Sequence, residues 1–95
     1  MEKQRLRTRL SPTARRNQLL DTTLTMVIAG GVQAFTMEGL AKTAGVSAPL
    51  VYNYFSSRPE LLQTLLLREY QRFAEEFRSV AREVKNFEDI VRLSV

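Results

Sequence analysis

The chain is 95 residues long, with 14 Lys and Arg against 10 Asp and Glu, a formal net charge of +4, and neither cysteine nor histidine. That length carries one small domain and its core. The missing residue types exclude disulfides, thiolate or imidazole metal sites, cysteine nucleophiles and the commonest general base, so neither an enzyme nor a bound cofactor is expected. No run of apolar residues is long enough to span a bilayer and no signal-peptide pattern opens the chain, so a soluble, cytoplasmic protein without a membrane partner is expected.

Residues 1–10 hold Lys3, Arg5, Arg7 and Arg9 with little apolar periodicity, and read as a flexible basic arm. Ser11-Pro12 reads as a helix start: serine caps orphan amides, and proline in the first turn gives up an amide that had no partner. A first helix over about 12–29 follows, with Leu20, Leu24, Val27 and Ile28 as its apolar face and Gly30-Gly31 as its end. Arg15 and Arg16 lie in its first turn, where positive charge is disfavoured by about 0.3–1 kcal/mol, so an external anion would account for them.

Thr36 caps a short second helix over 37–44, with Glu38 in its first turn and Leu40, Ala41 and Ala44 along its buried stripe. Gly45 stops it, and Ser47 caps a third helix over 48–55, with Pro49 in the first turn and Val51, Tyr54 and Phe55 facing inward. Ser57-Arg58-Pro59-Glu60 reads as a capping box that starts a long fourth helix. Leu62, Leu66, Tyr70, Phe73, Phe77, Val80 and Val84 form a stripe along it, which outreaches a three-helix head and calls for a further partner. Asn86, with Asp89 three residues later, reads as the cap of a fifth helix that the chain only begins. The expected fold is therefore all-α: a three-helix bundle, a long fourth helix and the start of a fifth, with the arm at 1–10, the bundle at 11–57 and the connecting region at 58–95.

Two short helices joined at a glycine turn suit a helix-turn-helix, in which the second helix enters the major groove while the first braces it. Leu40, Val46, Val51 and Tyr54 supply the contacts that fix the interhelical angle, and Ala41 is small where the helices approach. Gly45 fits a turn that needs a left-handed backbone.

Phe35-Thr36-Met37, Leu40 to Ser47, Val51-Tyr52-Asn53-Tyr54-Phe55-Ser56-Ser57-Arg58 and Leu61-Leu62 together resemble the signature of the TetR family of bacterial transcriptional regulators, over about Arg16 to Leu65. The resemblance implies base contacts from Ser47, Ala48, Pro49, Leu50 and Asn53. It implies phosphate contacts from Thr36, Tyr52 and Arg58; Lys42 and Thr43 flank the same side, and Arg15 and Arg16 join them on the charge argument above. Asn53 is the one side chain there suited to adenine, and the small and apolar residues suit thymine methyl groups. The family further implies a repressor acting on a palindromic double-stranded DNA operator, a homodimer, and release by a small-molecule effector bound to a carboxy-terminal domain missing from this chain. Two other readings are weaker: a protein-interaction module using the stripe of the long helix, and an enzyme, for which nothing supplies a nucleophile.

Overall fold

The computed structural model describes residues 10–94, so all but one residue of the expected basic arm lies outside the described residues. Four helices and no strand are present among them: α1 (Pro12–Gly30), α2 (Met37–Ala44), α3 (Ala48–Tyr54) and α4 (Arg58–Ser94). The all-α architecture agrees with the sequence reading. The helix count differs from it, because α4 runs through Asn86 without a break and no fifth helix begins there. Nothing after Pro59 is a glycine or proline, and one asparagine inside a helix costs only about 0.5 kcal/mol against alanine, too little to stop it.

Each helix start is set by a hydroxyl. Ser11 Oγ accepts from the Ala14 amide at 3.1 Å, Thr36 Oγ1 from Gly39 at 3.0 Å, Ser47 Oγ from Leu50 at 3.3 Å and Ser57 Oγ from Glu60 at 3.2 Å. The capping box at 57–60 closes differently from the expectation. The Glu60 carboxylate accepts from the amide and the hydroxyl of Ser56 instead of the amide of Ser57. Ser57 has committed its hydroxyl to the cap, whereas Ser56 offers one carboxylate oxygen two donors at once.

The core of the first compact unit, which reaches Leu65, gathers Leu19 and Leu20 of α1, Phe35 of the connecting turn, Met37, Leu40 and Ala41 of α2, Val51 and Phe55 from α3 and its end, and Leu61 and Leu65 of α4. Burying a side chain of this size fully contributes about 1.5–3 kcal/mol each. The phase of α1 differs from the reading. Arg15, Leu19, Leu20 and Thr23 face the core, Leu24 and Val27 lie at its margin, and Ile28 is exposed. Apolar residues occupy several sides of this helix, so periodicity alone leaves its orientation open. Thr23 is tolerated in the core because its hydroxyl donates to the Leu19 carbonyl at 2.7 Å.

Residues from Leu66 onward form a second unit. Leu66, Tyr70, Phe73, Phe77, Val80 and Val84 are all exposed, and Phe87 and Val91 continue their spacing. Phe73 and Phe77 stack with ring centroids 6.3 Å apart. On another face the Arg78 guanidinium, 2.7 Å from Glu75, holds that carboxyl below its ordinary range.

Candidate nucleic-acid interface

The site begins at the turn between α2 and α3. Gly45 takes φ 72° and ψ 33°, the left-handed region. Its amide donates to the Lys42 carbonyl at 3.3 Å, and the Val46 amide donates to Ala41 at 2.9 Å. This pair of bonds satisfies the last carbonyls of α2 and turns the chain towards α3. Leu40, Ala41 and Val51 are buried between the helices, with Val46 and Tyr54 packed against them. The contacts expected to set the interhelical angle are therefore in place.

That packing points one face of α3 to solvent. Ser47, Pro49, Tyr52 and Asn53 are exposed, while Ala48 packs partly against the core and Leu50 is half-buried. Pro49, Tyr52 and Asn53 stand at helical spacings of three and four, so they share a face. Thr36 is exposed at the start of α2, and Lys42 and Thr43 are exposed in its last turn. The hydroxyls of Thr36 and Ser47 hold their helices' free amides in order at two exposed helix starts.

The basic residues divide. Arg16 is exposed, with its guanidinium carbon 5.5 Å from the centroid of the Phe55 ring, which ties α1 to the end of α3 by a cation–π contact. Arg15 departs from the expectation of a surface contact: it is 8% exposed, and its Nη1 donates to Gln18 Oε1 at 2.5 Å. Arg58 is half-buried, and its Nε donates to the Phe35 carbonyl at 2.9 Å while Nη2 donates to the Val32 carbonyl. The positive charge at the start of α4 thus has partners within the protein, a role that nothing local in the sequence announces.

Gly39 is a further residue that the sequence reading passed over. A Cβ there would come within 2.9 Å of Thr36 Oγ1, the atom that caps α2. The signal available was its place, three residues after a candidate cap.

A small helical domain with a glycine-turned helix pair and one exposed polar face on the second helix defines the helix-turn-helix class. Residues 19–65 match the family model described as bacterial regulatory proteins, tetR family. The chain belongs to that family. It is 40% identical over 58 residues to the HTH-type transcriptional repressor KstR of Rhodococcus jostii (strain RHA1), covering 61% of this chain and 27% of that protein. It is 34% identical over 70 residues to the HTH-type transcriptional regulator LuxR of Vibrio harveyi, covering 74% and 34%. With the HTH-type transcriptional activator FasR of Mycolicibacterium smegmatis (strain ATCC 700084 / mc(2)155) it shares 32% identity over 87 residues, covering 92% and 40%. The chain therefore spans well under half of the length of these relatives. No solved structure matches the chain significantly.

Proposed function

We propose that this chain is the DNA-binding part of a transcriptional regulator that reads a double-stranded operator through α3. The observation that carries the reading is the exposure of Pro49, Tyr52 and Asn53 on one face of α3, with Ser47 exposed at its start and Thr36, Lys42 and Thr43 exposed at the start and in the last turn of α2. Burial of the α3 residues would have removed any groove-reading role.

In this reading Ser47, Pro49 and Asn53, with the solvent-facing parts of Ala48 and Leu50, meet base edges. Asn53 hydrogen-bonds adenine, and the apolar members touch thymine methyl groups. None of them makes the bidentate guanine contact of arginine. Thr36, Lys42, Thr43, Tyr52 and Arg16 meet phosphates, which position the domain without carrying sequence information. Arg15 and Arg58 serve the fold first.

The regulator acts in the cytoplasm as a repressor, a sign supported by the likeness to the transcriptional repressor KstR, whereas FasR is a transcriptional activator. It binds a palindromic site as a homodimer and is released by a small molecule held in a carboxy-terminal region beyond these residues. Selection of bound duplexes from a random pool tests the reading. The expected product is an A·T-containing half-site, repeated with inverted symmetry about one helical turn, roughly 34–36 Å, apart wherever the dimer forms. A pool that stays random at low salt would overturn it.

The exposed apolar stripe of α4 favours a second reading, a protein-interaction module. It predicts association without any shift of duplex DNA.

A further inference from the structure

Arg58 is the residue whose surroundings differ most from what its sequence position suggests. It is the first residue of α4, where a positive charge opposes the helix dipole. Its guanidinium spans both ends of one turn. The Phe35 amide closes that turn on the Val32 carbonyl at 3.2 Å. Arg58 Nη2 donates to the same Val32 carbonyl, and Nε donates to the Phe35 carbonyl at 2.9 Å. The next residue, Thr36, caps α2 and presents its start to solvent.

We propose that Arg58 is a positioning residue for DNA binding. It holds the 32–35 turn against the start of α4 and so fixes where Thr36 and the first amides of α2 stand. This rests on the DNA-binding reading only for its consequence, not for the latch itself. The chemistry requires a fork. Nε and Nη2 of a planar guanidinium donate in parallel to two carbonyls, whereas the ammonium of lysine is a point charge on a flexible stem and does not reproduce that geometry. The role differs from a phosphate contact, in which lysine serves well.

The test uses the 95-residue chain with Arg58→Lys and Arg58→Ala, measured below their melting temperatures. Duplex affinity is followed across a range of salt concentrations, and amide hydrogen exchange is read at Phe35, Gly39 and Leu50. The latch predicts that lysine does not rescue. Both variants lose affinity by about tenfold, and the slope of log K against log salt stays at the wild-type value. Exchange at Phe35 and Gly39 accelerates while Leu50, capped by Ser47, keeps its rate. Arg58→Lys restoring affinity, with Arg58→Ala reducing the magnitude of the slope by about 0.9, would make Arg58 a phosphate ligand and overturn the proposal. Unchanged exchange at Phe35 and Gly39 would also overturn it. Should Arg58→Ala not fold, Arg58→Lys decides alone, since rescue and non-rescue point opposite ways. If the wild-type chain binds no duplex, the DNA reading fails, and the exchange rates still decide whether the latch exists.

Discussion

Single atoms decide how the first helix of the pair meets its surroundings. The Thr36 hydroxyl accepts from the Gly39 amide at 3.0 Å, and a methyl group at residue 39 would sit 2.9 Å from that same oxygen. Gly39→Ala therefore forces the hydroxyl off its cap, which costs about 0.5–2 kcal/mol. Alanine returns up to about 1 kcal/mol through its better helix propensity. The expected outcome is a stability within about 1 kcal/mol of wild type combined with weaker binding to every duplex, checked by thermal melts alongside binding isotherms. Wild-type affinity in this variant would remove the Thr36 hydroxyl from the interface. The caps at Ser11, Thr36, Ser47 and Ser57 were legible in the sequence because each is a contact between residues three apart. The bonds from Arg58 to Val32 and Phe35 were not, since they join residues 26 and 23 apart and depend on how α4 enters the core.

At the scale of elements, the turn at Gly45 and the continuity of α4 make opposite demands on the chain. A Cβ at Gly45 would meet nothing within 4 Å, so substitution there is strained by φ 72° alone and not by crowding. Gly45→Val is expected to destabilise the domain by roughly 1–3 kcal/mol. Gly45→Asn should cost less, because asparagine tolerates the left-handed region. Equal melting temperatures for the two variants would mean the cost lies elsewhere than in the backbone. Asn86 allows a test by sign. As a cap it would lose about 0.5–2 kcal/mol on change to alanine. Inside an unbroken α4, Asn86→Ala should instead raise helix content and stability by about 0.5 kcal/mol, read by circular dichroism during thermal unfolding. The sequence suggested a cap there because asparagine followed by an acid resembles one, yet the residues around it carry no breaker. The phase of α1 escaped for a related reason: with Leu19, Leu20, Leu24, Met26, Val27 and Ile28 so close together, only packing against Leu40 and Phe55 selects which of them are buried.

For the molecule as a whole, the question is how much of its affinity comes from charge and how much from base edges. The exposed face of α3 carries Pro49, Tyr52 and Asn53, with Ser47 at its start, none of them a Lys or Arg, so among the described residues the electrostatic attraction falls to Lys42, Arg16 and the helix starts around them. If the phosphates opposite Lys42 and Arg16 are neutralised in each protomer, those two contacts should make log K fall against log salt with a slope near −1.8. Such a chain binds non-specific DNA through the same contacts, and its discrimination rests on Asn53 and on methyl contacts, each base pair being worth about 1–3 kcal/mol. Raising salt should therefore weaken specific and random duplexes in parallel and leave their ratio nearly constant. Titration of one selected duplex and one scrambled duplex over the same salt series checks both statements. A slope near zero would remove phosphate contacts from the mechanism, and a ratio that collapses with salt would place the discrimination in charged groups instead of the α3 face.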